Sequence, residues 1–158
     1  MRVGVPREIK VLENRVGLTP ASVRELVARG HVVVVEHDAG AGIGLSDDAY
    51  AAAGATVAPD ADAVFAGADM IVKVKEPQPA ECARLKPGQI LFTYLHLAPD
   101  PAQAKALIGS GAVCIAYETV TSPHGGLPLL APMSEVAGRM SVQAGAFLLE
   151  KPHGGKGL

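Results

Sequence analysis

Apolar residues along the chain fall into short unbroken runs, and between those runs they recur at helical spacing behind capping residues. Arg2 to Val5 reads as a short strand. Thr19-Pro20 then offers an N-cap followed by proline at the first helical position, with Val23, Leu26 and Val27 along one face and Gly30 placed to close the helix. Val32 to Val35 is a continuous β-branched run without polar alternation, the signature of a parallel strand covered on both faces. The unit then recurs. Ser46 caps a helix that Gly54 ends, a short helix near 60–67 precedes a strand over Met70–Val74, and Ile90–Leu95 is a further strand. Asp100-Pro101 opens a helix through Leu107 and Ile108, stopped by Gly109 or Gly111, and Val113–Tyr117 is one more strand.

Strands alternating with capped helices imply right-handed crossovers and an α/β fold with a doubly wound parallel sheet, Rossmann-like or flavodoxin-like. After residue 120 the pattern changes to a turn-rich stretch, and from about Ser134 a long helix runs to Glu150 with small residues at Ala137, Gly138, Ala144, Gly145 and Ala146. Residues 1–130 are therefore expected to form a substrate or catalytic domain. Residues 131–158 are expected to be a connecting helix and a linker with no element of its own.

The chain has 158 residues, 49% of them hydrophobic, enough for one sizeable core. Lys+Arg 14 against Asp+Glu 16 gives a net charge of −2 with no long basic run, so nucleic-acid binding is not expected. Tryptophan is absent and aromatics are 4%, which removes a base-stacking platform. No segment approaches the roughly 20 apolar residues of a membrane span, and the charged amino terminus does not read as a signal peptide. Cys82 and Cys114 are isolated, which fits reduced, structural thiols in the cytoplasm.

In an open α/β sheet ligands bind outside the carboxyl ends of the strands, so the residues each strand runs into are the candidates for chemistry. The first strand runs into Arg7, Glu8, Lys10, Glu13 and Arg15, the Ile71 strand into Lys75 and Glu76, and the Ile90 strand into His96. Arg15 offers a planar fork for a carboxylate, with an ion pair to Glu8 or Glu13 as the alternative. Lys75 offers a point charge for a carbonyl oxygen, or simply a solvated strand end. His96 suits proton transfer near neutrality, or is a structural histidine. Gly40-Ala41-Gly42-Ile43-Gly44 departs from the dinucleotide fingerprint because Leu45 follows where spacing matters, and a tight loop explains it. The remaining histidines show no ligand spacing with each other or with the cysteines, so no metal is expected.

Val5-Pro6-Arg7-Glu8-Ile9-Lys10, Glu13-Asn14-Arg15-Val16, Lys73-Val74-Lys75-Glu76-Pro77, Phe92-Thr93-Tyr94-Leu95-His96-Leu97 and Pro132-Met133-Ser134-Glu135-Val136-Ala137-Gly138 together resemble the amino-terminal part of the alanine dehydrogenase and nicotinamide nucleotide transhydrogenase family. The resemblance spans essentially the whole chain, and the lysine and Tyr-Leu-His segments point to its dehydrogenase branch. It implies NAD-dependent interconversion of L-alanine with pyruvate and ammonia, with Arg15 and Lys75 binding the substrate, His96 as acid/base catalyst and Ser134 contacting NAD at the start of the long helix. It also implies a homohexamer in the full-length form and a separate NAD-binding domain absent from these 158 residues, so that this chain alone is expected not to turn over alanine. A transhydrogenase nucleotide-binding subunit and a non-catalytic truncated module are the alternatives.

Overall fold

The structure is a computed structural model and describes residues 1–157. It comprises two compact units, Met1–Tyr117 and Glu118–Leu158. The first is a six-stranded parallel sheet in the order β3-β2-β1-β4-β5-β6. The strands are β1 (Arg2–Val5), β2 (Val32–Glu36), β3 (Thr56–Ala58), β4 (Met70–Val72), β5 (Ile90–Thr93) and β6 (Val113–Ala116). The helices are α1 (Pro20–Ala28), α2 (Asp47–Ala52), α3 (Ala61–Gly67), α4 (Pro79–Cys82) and α5 (Pro101–Ser110). The doubly wound α/β expectation is met.

In the first unit α1, α2, α3 and α5 each start on a side chain that satisfies an otherwise unpaired backbone N–H. Thr19 accepts from Ser22, Ser46 from Ala49, Asp60 from Ala63 and Asp100 from Gln103. The valine run of β2 is explained by the two faces it serves. Val33 and Val35 join Val3, Val5, Val23 and Tyr50 under α1 and α2, whereas Val34 joins Ile71, Leu91, Val64 and Phe65 on the opposite face. Alternate residues of one strand thus fill two separate cores, and no position is left for a polar residue.

Several expected boundaries move. β4 stops at Val72 rather than Val74, β5 at Thr93 rather than Leu95, and β6 at Ala116 rather than Tyr117. Past Val72 the backbone still meets β5, the Lys73 N–H donating to the Phe92 carbonyl at 3.1 Å, while the Lys73 side chain turns to two buried carboxylates. β3 and α4 are too short to have registered as periodic patterns.

The chain runs β1, β2, β3 to one side of the sheet and then β4, β5, β6 to the other, so the topological switch lies between β1 and β4. The segment after β1 lies against that crevice at Gly17, where an added Cβ would stand 2.5 Å from the carbonyl oxygen of Val72. Only a residue without a side chain permits this approach. Tyr50 fixes the same segment from below by donating a 2.8 Å hydrogen bond to the Leu18 carbonyl.

The second unit contains α6 (Ala131–Leu149). It begins earlier than the expected Ser134, because Pro132 occupies the first turn of the helix, where proline is tolerated, instead of ending the preceding turn. Lys151–His153 forms a single 3-10 turn where no element was expected, with the Phe147 and His153 rings stacked 3.6 Å apart. Val136, Met140, Phe147 and Leu148 of α6 are exposed.

Candidate functional site

Lys75 and His96 sit just past the carboxyl ends of β4 and β5, and Arg15 lies in the segment that follows their neighbour β1. Around them is a set of carboxylates, each of which orients a cation.

The first is Glu13. Its carboxylate takes one edge of the Arg15 guanidinium, with Nε donating at 2.8 Å and Nη2 at 2.5 Å, and also accepts from the Arg15 backbone N–H at 2.8 Å. Of the two partners considered for Arg15, it is Glu13 that is seen. The Arg15 hydrogen bond outweighs burial and holds the Glu13 carboxyl at about 2, below its usual 4.5, with a smaller contribution from the Lys75 charge. Arg15 is shifted upward, chiefly by Glu13 and less so by Tyr94 and Glu8.

A depressed carboxyl pKa means stability that is complete above about 4.5 and lost as pH falls toward about 2. The amount is on the order of 2 kcal/mol, because the half-exposed Arg15 partner is screened by solvent. Glu13→Gln is expected to flatten the pH dependence of urea unfolding between pH 5 and 2. An unchanged slope would show that the pair contributes nothing.

The second carboxylate is Glu8, and it serves Lys75 indirectly. Glu8 Oε1 accepts from the backbone N–H of Val74 at 2.6 Å and of Lys75 at 3.4 Å, while Oε2 accepts from Lys73 Nζ at 2.9 Å. Lys73 Nζ reaches Glu81 Oε1 at 2.7 Å, and the Lys73 side chain is 0% exposed. The other Glu81 oxygen accepts from the Gln78 N–H that opens α4. This buried Glu8–Lys73–Glu81 group ties the β1 loop to the end of β4, and Lys75 projects from the backbone it clamps. Sequence reasoning passed over Lys73. Its signal was a lysine inside an otherwise apolar run, Met70-Ile71-Val72-Lys73-Val74.

The third is Glu76, next to His96. Glu76 Oε2 lies 3.4 Å from His96 Nδ1, and Oε1 is paired with Lys10. The imidazole stacks on Tyr94 with centroids 5.9 Å apart, and Tyr94 in turn meets the edge of Tyr117 at 5.0 Å. Burial pushes the Tyr117 phenol strongly upward, which keeps it neutral. His96 remains half-exposed.

Ser134 lies in the second unit and is exposed. Because α6 starts at Ala131, the Ser134 N–H is already used, donating to the Leu130 carbonyl at 3.1 Å. What Ser134 offers a ligand is its hydroxyl rather than an N-terminal amide.

The residues described in the first unit do not form a dinucleotide cradle. The β1–α1 segment carries charged side chains where a pyrophosphate needs a glycine turn and bare helix N–H groups. Glu36, at the end of β2 where such folds place a ribose-binding acid, is 7% exposed and accepts from the Arg7 N–H at 2.8 Å. The cavity beside Arg15, lined by Glu8, Glu13 and Asp38 among others, holds about 110 Å³, against roughly 300–1,000 Å³ for a typical ligand pocket. Gly42 belongs to this packing: a Cβ there would meet the Asn14 carbonyl oxygen at 2.9 Å. The glycine-rich stretch is thus a loop packed against the neighbour of Arg15.

His37, Asp38 and Asp47 bring ligand atoms within 4.8 Å of one another, a grouping that linear spacing did not reveal. Asp47 accepts from His37 Nδ1 at 2.5 Å and shifts the imidazole upward. The three form an exposed charge cluster on the β2–α2 loop.

Residues 4–137 match the family model described as alanine dehydrogenase/PNT, N-terminal domain. The chain belongs to this family. Over all 158 residues it is 59% identical to the alanine dehydrogenase of Halomonas elongata, 55% to that of Methanococcus maripaludis and 54% to that of Mycobacterium tuberculosis strain CDC 1551. It covers 43%, 42% and 43% of those proteins respectively, so it spans less than half the length of the relatives it matches. A solved L-alanine dehydrogenase superposes with a TM-score of 0.91 at 52% identity, covering 100% of this chain and 44% of that one. A transhydrogenase from Sinorhizobium meliloti gives a TM-score of 0.71 at 30% identity, covering 75% and 35%. Among the described residues, no helix of this family member is long and apolar enough to cross a membrane.

Proposed function

We propose that this chain is the substrate-binding, amino-terminal part of an NAD-dependent L-alanine dehydrogenase, which interconverts L-alanine with pyruvate and ammonia. The observation that carries the reading is overall identity above 50% to alanine dehydrogenases in matches that span all 158 residues. In this reading residues 1–130 are the substrate part and residues 131–158 the connector.

The roles follow from the chemistry of the side chains. Arg15, oriented by Glu13, meets the substrate carboxylate as a charge-assisted partner. Lys75, on backbone clamped by Glu8, draws electron density toward the carbonyl oxygen of pyruvate. As ammonia adds to that carbon, His96 gives a proton to the oxygen, forming the carbinolamine. The imidazole, now neutral, takes a proton from the added nitrogen and passes it to the same oxygen, so that the nitrogen lone pair expels water and leaves the iminium. In the alanine-to-pyruvate direction the same imidazole removes these protons. The redox step belongs with the part of the enzyme that binds NAD, which the proposal assigns to the remaining length of the relatives. Ser134 contributes its hydroxyl there. The 158-residue chain by itself is inactive in this reading.

A homohexamer in the full-length form fits the exposed apolar residues of α6, and a reducing cytoplasm fits the unpaired thiols of Cys82 and Cys114. No metal takes part.

The test is NADH oxidation by the chain extended to the full length of its relatives. The expected result is a rate that requires pyruvate and ammonium together. NADH oxidation that ignores ammonium overturns the reading, and nucleotide binding without any alanine-dependent activity favours the transhydrogenase branch, to which the 30% identical solved structure belongs.

A further inference from the structure

Glu76 and His96 meet in an arrangement that neither packing nor the Lys10 ion pair explains. The Glu76 side chain is 14% exposed and its two oxygens have different surroundings. Oε1 is engaged by Lys10, whereas Oε2 is buried and has no hydrogen bond. A buried carboxylate oxygen without a donor is costly and calls for a partner. The atom nearest to supplying one is His96 Nδ1, at 3.4 Å, an ion-pair distance that falls short of an aligned hydrogen bond.

His96 itself is held under strain. Its φ is +46°, in the left-handed region that a residue with a Cβ enters only at a cost. Such conformations persist where the surroundings over-determine them, and they concentrate at functional positions. Here the surroundings are Tyr94 on one face of the ring and Glu76 at its Nδ1 edge. An ordinary φ would swing the imidazole away from both.

We propose that Glu76 is a positioning residue: its unpaired Oε2 accepts the proton of His96 Nδ1, fixing the tautomer and the ring plane so that Nε2 is the atom that exchanges protons with substrate. The proposal rests on the reading of His96 as the acid/base group. Burial favours the neutral carboxyl, but the Lys10 hydrogen bond, Lys10's charge and His96 together keep Glu76 below its usual range, so it is an anion at neutral pH and only accepts. A ring nitrogen that donates to such an anion leaves the other nitrogen with the lone pair. The contact shortens to hydrogen-bond length when substrate fills the site, as catalytic contacts commonly do.

The test reads the tautomer directly. Nitrogen-15 correlation spectra of the 158-residue chain, at a pH where its histidines are neutral, are expected to show the His96 proton on Nδ1. Glu76→Ala moves it mainly to Nε2. Lys10→Ala breaks the ion pair but leaves the tautomer unchanged, an outcome that a merely structural role for Glu76 would not produce. In the extended enzyme Glu76→Ala lowers kcat about tenfold, with KM for pyruvate within about twofold. A wild-type His96 carrying its proton on Nε2 overturns the proposal without any variant, and so does a Glu76→Ala spectrum identical to wild type. If the extended enzyme lacks ammonium-dependent activity while the tautomer behaves as stated, the functional reading falls and the pairing stands. If activity is present and the tautomer is wrong, only the pairing falls.

Discussion

Lys73→Met is expected to destabilise the first unit by about 3–5 kcal/mol, a drop in melting temperature on the order of 10 °C for a chain of this size. Methionine matches lysine in length and fills the space, so the loss is electrostatic. Lys73 Nζ lies between Glu8 at 2.9 Å and Glu81 at 2.7 Å, all three side chains being almost entirely out of solvent. Removing the ammonium leaves two carboxylates facing each other without a cation, which is the expensive way to break a buried pair. Adding Glu8→Gln and Glu81→Gln to Lys73→Met removes the repulsion and should recover much of the stability, since replacing a whole buried ionic group is often close to neutral. Thermal unfolding of the single and triple variants decides the point, and equal melting temperatures for the two would remove the triad from the argument.

The same variant has a functional consequence. Glu8 also holds the Val74 and Lys75 backbone N–H groups, so a Glu8 released from Lys73 loosens the segment that carries Lys75, the residue proposed to meet the substrate carbonyl. In the extended enzyme the triple variant should therefore bind pyruvate more weakly even where stability is restored. Fold and site share one set of contacts here, because the bonds that close the crevice between β1 and β4 are the bonds that aim the cation.

These contacts explain what could be read from the sequence and what could not. A doubly wound parallel sheet was implied by capped helices alternating with β-branched runs, because each signal is local: the caps Thr19, Ser46 and Asp100 act within three residues of themselves. Arg15, Lys75 and His96 were legible for a similar reason, since a strand's carboxyl end is marked by where its apolar run stops. Of the carboxylates around them, Glu13 was in view as a partner of Arg15 two residues away, but the distant pairings were not legible. Glu8 reaches Lys73 across 65 positions and Lys10 reaches Glu76 across 66, and no periodicity connects such pairs. Short elements were lost as well. β3 and α4 span three and four residues, less than the length over which a period of two or 3.6 can be recognised. The first turn of α6 was hidden by Pro132, a residue that marks a turn in one context and a helix start in the other.

His96→Asn is expected to lower ammonium-dependent pyruvate reduction in the extended enzyme by about 10²–10⁴-fold while leaving the melting temperature close to wild type. The choice of asparagine separates two effects that alanine would mix. His96 occupies the left-handed region at φ +46°, and asparagine is among the side chains best tolerated there, so the backbone keeps its path past β5. Its amide can still donate to Glu76 and lie against Tyr94, preserving the contacts that hold the histidine. What it cannot do near neutral pH is accept and return a proton. KM for pyruvate should change little, since Arg15 with its Glu13 partner and Lys75 on its clamped backbone are untouched. His96→Gly, which relaxes the left-handed strain and leaves a space beside Glu76, should regain part of the rate when free imidazole is added. A His96→Asn enzyme within about threefold of wild type would remove proton transfer from this residue.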